Sequence, residues 1–108
     1  MALWRRRTTR KKAAQAPGSL DRAADKADLA HLEEFARTKR GVEAFVEPRT
    51  AMTGTTVVLV AHDGEWTRRR IAGPDAAREL GKKLSMPVYE AAVVGYPQRM
   101  RDWNARRA

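Results

Sequence analysis

Residues 55–71 read TTVVLVAHDGEWTRRRI, and this stretch decides the fold. Its first half, Thr55 to His62, is the most apolar run in the chain. A strand that is apolar on both faces belongs in the middle of a sheet, covered from two sides. Asp63-Gly64 then predicts a type I′ hairpin turn. The second half, Glu65 to Ile71, reads as a returning strand that carries Trp66 and the triplet Arg68-Arg69-Arg70. Charge on both faces of a strand discourages pairing with another chain, so this strand reads as a sheet edge. The same residues admit a functional reading: a phosphate-contacting ridge with Trp66 as a stacking platform.

Working outward, residues 42–47, VEAFVE, alternate as a strand does. Val42, Ala44 and Val46 share one face, and Glu43, Phe45 and Glu47 the other; Pro48 ends the run. Glu43, Glu47 and Glu65 are the acids placed to balance the arginine triplet. Further upstream, Leu29, Leu32, Phe35 and Ala36 form one apolar stripe of a helix expected from Leu20 to Arg40. Ser19 is its candidate N-cap and Gly41 its stop. Acids in its first half and bases at its end suit the helix dipole.

Downstream, Gly73-Pro74 breaks the third strand, and Pro74 fits the first position of a second helix reaching about Leu84. Ala76, Ala77, Leu80 and Leu84 should face the sheet. After Met86-Pro87 a fourth strand is expected over Val88 to Val94, ended by Gly95-Tyr96-Pro97. Residues 98–108, QRMRDWNARRA, suit a short basic helix with Met100 and Trp103 three apart.

The predicted order is α-β-β-β-α-β. It gives an α+β fold in which two helices pack on one face of a four-stranded mixed sheet, with basic tails at both ends. Residues 1–18 are the first tail, expected to be disordered, 19–97 the single domain, and 98–108 a basic helix or tail. The helical crossover places the fourth strand parallel to the third or the first. Helices on one face only would leave the Val58–Val60 side open to a partner subunit.

The chain has 108 residues and a formal net charge of +9, with no cysteine. One small domain is the natural size. Disulfides, thiolate metal sites and cysteine nucleophiles are excluded. The opening MALWRRRTTRKK has no apolar stretch of signal-peptide length. No apolar run approaches the roughly 18 residues of a membrane span. Alanine- and arginine-rich usage suggests a GC-rich bacterial gene, and the expected place is the cytoplasm.

The charge is uneven. Residues 1–18 carry +6 and residues 95–108 carry +3, while residues 19–41 and 42–94 are each neutral. A polyanion is the partner such ends suit. One basic cluster is Trp4, Arg5, Arg6, Arg7, Arg10, Lys11 and Lys12; the other is Arg99, Arg101, Arg106 and Arg107 with Trp103 among them. Guanidinium groups contact phosphate and indoles stack on exposed bases, so these residues, extended by Trp66, Arg68 and Arg70, point to RNA or a ribonucleoprotein. The bland reading is a pair of solvated ends that aid solubility.

Catalytic and cofactor patterns are missing from the sequence. No HExxH brings its two histidines, His31 and His62, onto zinc. His62-Asp63 reads as a strand end and a turn. Gly81-Lys82-Lys83 lacks the glycine five residues earlier that a phosphate loop needs, since Ala76 stands there. No GxGxxG follows a strand, and no serine lies in a GxSxG elbow. The chain is therefore expected to be non-enzymatic and without a cofactor or metal. A protein-interaction or homodimer module is the second reading and an enzyme the last.

The segments HLEEFARTKRGVEAF (31–45), VEPRT (46–50), TTVVLVAHDGEWTRRR (55–70) and MPVYEAAVVGYPQRMRDWN (86–104) resemble a family of small basic actinobacterial proteins without an established function. The likeness spans about residues 28–105. Some members carry an oxidoreductase label, which no cofactor motif of this chain supports. The helix–three-strand–helix order also resembles the double-stranded RNA-binding domain in topology. GPDAARE (73–79) replaces that domain's lysine-rich helix start and a fourth strand follows, so none of its RNA-binding residues are carried over.

Overall fold

A computed structural model describes residues 17–51 and 54–108, with side chains from residue 25 onward. The elements are α1 (Pro17–Thr38), β1 (Glu43–Glu47), β2 (Thr56–Val60), β3 (Trp66–Arg70), α2 (Pro74–Leu84), β4 (Val88–Glu90), α3 (Ala91–Val94) and α4 (Gln98–Arg107). The four strands form one mixed sheet in the order β3-β2-β1-β4. β2 runs antiparallel to both neighbours, and β4 runs parallel to β1. The fold is α+β. As the triplet of arginines implied, β3 is an edge; the long apolar run supplies β2, an inner strand.

The alternation of side chains assigns two faces. On the first, Ala44, Val46, Val57 and Leu59 meet Leu32 and Phe35 of α1 and Ala77 and Leu80 of α2. Leu32, Val57 and Leu59 have no exposed surface. α2 lies close to the sheet because Gly81 has no side chain: a Cβ there would stand 2.4 Å from a methyl of Val88. On the second face, Phe45, Val58 and Val60 meet Ala91 of α3 and Met100 of α4, with Trp66 and Tyr96 at the margin. Val58 and Val60 are fully buried. The side expected to be open is thus covered, and the cover is the C-terminal basic segment, here a helix folded onto the domain.

Several boundaries differ from expectation, each for a local reason. α1 begins at Pro17, so Ser19 lies inside the helix rather than capping it; proline in a first turn gives up no hydrogen bond. The hairpin turn is not type I′, because Asp63 keeps a negative φ. Instead Ala61 N–H donates to Glu65 O at 2.8 Å and Gly64 N–H to Ala61 O at 2.9 Å. This is a three-residue loop in which a type I turn is followed by glycine at positive φ, with Gly64 at +95°. Asp63 Oδ1 fixes the turn by accepting the Glu65 N–H at 3.1 Å.

β4 is three residues long, not seven. Its one neighbour, β1, stops at Glu47, and Pro48 has no N–H with which to continue the ladder. The chain instead turns into α3, burying Ala91 and leaving Val93 and Val94 exposed. α2 ends as helices with a left-handed cap do, but on a serine: Ser85 sits at φ 53°, and Met86 N–H returns to Gly81 O at 2.8 Å.

Candidate nucleic-acid interface

Trp4, Arg5, Arg6, Arg7, Arg10, Lys11 and Lys12 lie outside the described residues. The other candidates fall on α4 and β3, and what holds α4 in place determines what those residues can do. Met100 is its one buried side chain. The remaining docking contacts are polar or steric. Arg99 Nε donates to Ala61 O at 2.9 Å, and its Nη2 meets Glu43 Oε1 at 2.6 Å. Trp66 Nε1 donates to Asn104 Oδ1 at 2.9 Å. Arg106 Nη2 donates to the carbonyl of Asp63 at 2.9 Å. Gly64 makes this approach possible, since a Cβ there would stand 2.0 Å from the Arg99 carbonyl oxygen and 2.9 Å from Trp103 Cβ.

Arg99 is therefore a structural residue. It occupies the carbonyl at the end of β2 and neutralises Glu43, and its charge is largely spent inside the domain. Arg101, Arg106 and Arg107 differ. Among the described residues none of the three has a carboxylate partner: Arg101 bonds Gln98 and the Tyr96 carbonyl, and Arg106 and Arg107 lie 5.8 and 5.0 Å from the centre of the Trp103 ring. Trp103 is half-buried beneath them.

The arginines of β3 separate by face, as the pleat requires. Arg69 points to the first face, 3.7 Å from Asp28 of α1. Arg68 points to the second and forms a two-pronged pair with Glu47, Nε to Oε1 at 2.8 Å and Nη2 to Oε2 at 2.9 Å. Its guanidinium also sits 5.3 Å from the Trp66 ring centre. Arg70 has no partner among the described residues. Glu47 receives two further hydrogen bonds, from Thr56 Oγ1 at 2.6 Å and from the Tyr96 hydroxyl. Burial pushes the Glu47 carboxyl upward, but the donors from Arg68, Thr56 and Tyr96 outweigh it and hold the group at about 2. Burial and the neighbouring Glu47 charge both raise the Tyr96 hydroxyl. The bond to Glu47 raises Arg68 further.

This cluster closes the end of the second face that α4 does not reach. Glu47 was foreseeable as a balancing acid. Tyr96 and Asn104 were not, although Asn104 follows Met100 at four residues and so shares its helix face. Among the described residues no helix is long and apolar enough to cross a membrane, and no three His, Asp or Glu side chains gather as a metal site. No protein-family model, no curated protein and no solved structure matches this chain.

Proposed function

We propose that this is a small non-enzymatic binding protein that contacts RNA or a ribonucleoprotein through its basic and aromatic ends. One observation carries the reading: residues 19–94 are electrically neutral, and the whole net charge of +9 lies outside them. The pairing of individual arginines supports it and narrows it. Arg68, Arg69 and Arg99 have carboxylate partners, whereas Arg70, Arg101, Arg106 and Arg107 have none among the described residues. The latter four, together with Arg5, Arg6, Arg7, Arg10, Lys11 and Lys12, are the phosphate contacts. Trp4, Trp66 and Trp103 are the aromatic surfaces. Arg68 and Arg99 act mainly by holding the scaffold.

Cutting off residues 99–108 is not a clean test, because it removes Met100 and opens the second face. Deletion of residues 1–14 and the double substitution Arg106→Ala/Arg107→Ala are better. Affinity for a fluorescent single-stranded RNA is measured by anisotropy across a salt series. Deleting the six cations of residues 1–14 should flatten the log–log salt slope by as much as about 4, and the double substitution by about 1. Unchanged affinity and slope in both variants would refute the reading.

A homodimer remains the second reading, with its surface relocated. Val58 and Val60 are buried, so the exposed large apolar side chains are Leu29 on α1 and the group Tyr89, Val93 and Val94 beside β4, Val93 being 76% exposed; the latter group is the candidate surface. A protein mass independent of concentration in sedimentation equilibrium would dismiss it.

A further inference from the structure

Where β1 and β4 end, a cavity of about 500 Å³ opens against the first turn of α2. Its walls include Thr55, Arg49, Gly73, Pro74, Arg78 and Glu90. Two independent features give it a chemical preference.

The first is the start of α2. Gly73 at the cap position supplies no side-chain hydrogen bond, and Pro74 follows it. Ala77 N–H returns to Gly73 O, but the Gly73 N–H, on the cavity wall, has no partner among the described residues. Free N–H groups at the positive end of a helix favour an anion. The second is Thr55, 7% exposed and the one buried polar residue among those described. Thr56 turns its hydroxyl to Glu47 on the second face, so the Thr55 side chain points to the first face, the side on which the cavity lies. Its hydroxyl has no hydrogen-bond partner among the described residues. A buried hydroxyl left unpaired is uncommon and costly, and a ligand that accepts its proton removes the cost.

The charges around the cavity fit a compact anion. Arg49 has no partner among the described residues. Arg78 is paired only with Asp75, whose side chain is 94% exposed and turned to solvent. Glu47 belongs to the opposite face and is neutralised by Arg68. Glu90 is the one opposing carboxylate on the wall without a partner among the described residues. We propose that this cavity binds a phosphate group. The Gly73 N–H and the Thr55 hydroxyl, both on the wall, donate to its oxygens, and Arg49 and Arg78 balance its charge. The group can belong to a free phosphate ester or to a nucleic-acid strand. The site goes beyond the RNA reading and stands without it.

The test follows backbone amide signals of the full chain during titration with inorganic phosphate, ionic strength being held constant with chloride. Saturable shifts at Gly73 and Thr55 are expected. Thr55→Val should weaken phosphate binding about tenfold, and Glu90→Gln should tighten it a few-fold. Without phosphate, Thr55→Val should fold as stably as the parent or more so, because it removes an unpaired hydroxyl. Shifts no larger than chloride produces, or a marked loss of stability in phosphate-free Thr55→Val, would overturn the site. A second arm adds a short single-stranded RNA. Displacement of the phosphate signal at Gly73 and Thr55 identifies a strand phosphate as the ligand. RNA that leaves those signals in place assigns the site to free phosphate esters. Phosphate shifts in a protein that binds no RNA uphold the site and remove only the function proposed above.

Discussion

On the first face of the sheet, two amphipathic helices cover Val57 and Leu59 with side chains that are almost wholly hydrocarbon, among them Leu32, Phe35 and Leu80. On the second, Val58 and Val60 are equally buried, yet α4 contributes only Met100 to the apolar contact. The rest of α4's attachment is the close approach at Gly64, the Trp66–Asn104 hydrogen bond and the pair Arg99–Glu43, while Ala91, Tyr96 and the Arg68–Glu47 pair complete the cover. A strand apolar on both sides requires two covers, but it does not specify their chemistry. Hydrocarbon packing announces itself as a periodic stripe. A cover built from hydrogen bonds and a missing Cβ looks, in sequence, like a hydrophilic tail.

The comparison can be broken from the apolar side first. Leu32→Ala removes a fully buried side chain from the first face and should cost about 3 kcal/mol. The loss should be global, with urea unfolding showing the same midpoint by fluorescence and by circular dichroism. Gly64→Ala attacks the other side. It combines a strained φ with a backbone clash and should cost about 2 kcal/mol. Here the damage should be local: hydrogen exchange should quicken across residues 98–107 while Val57 and Leu59 stay protected. Simultaneous loss of both regions would show that the two faces do not differ in this way.

Acid titration should separate the faces again. The Glu47 carboxyl falls from an ordinary value of 4.5 to about 2 on folding. A lowered folded value means that the stabilisation is complete above pH 4.5 and is lost as the pH falls toward 2. Arg68 is 45% exposed, so solvent screening reduces the contribution to about 1–2 kcal/mol. Glu47→Gln should remove that slope from a stability–pH curve between pH 5 and 2. The smallest effect belongs to Arg70→Ala, which should change stability by no more than about 0.5 kcal/mol. Its neighbour's replacement, Arg68→Ala, should cost about 1 kcal/mol or more by leaving Glu47 short of its main donor. Equal costs at the two positions, read from denaturant midpoints, would contradict the pairing.

The same contrast explains which parts of the fold were legible. The α-β-β-β-α-β order, the inner position of β2 and the edge position of β3 all followed from period and punctuation. The stripe through Leu32 and Phe35 and the break at Gly73-Pro74 fixed α1 and α2 to within a few residues. β4 was overextended because VYEAAVV has strand propensity throughout, whereas a strand needs a neighbour and β1 stops at Pro48. The turn was misassigned because Asp-Gly serves both a two-residue and a three-residue loop, and the Asp63 carboxylate chose the latter. Among the candidate contacts, Arg68 and Arg99 looked interchangeable with Arg70 and Arg107. Only their partners separate them.

The amino-acid sequence by itself determined the fold class, the inner apolar strand, the charged edge and the concentration of net charge at the two ends. These depend on periodicity and composition, which are local. Tertiary structure alone decided that residues 98–107 cover a sheet face, which arginines are neutralised, and that Thr55, its hydroxyl unpaired among the described residues, shares a cavity wall with the start of α2. Those outcomes depend on distances between residues far apart in the chain, and a charge acts according to what stands within a few ångströms of it, not according to its neighbours in sequence.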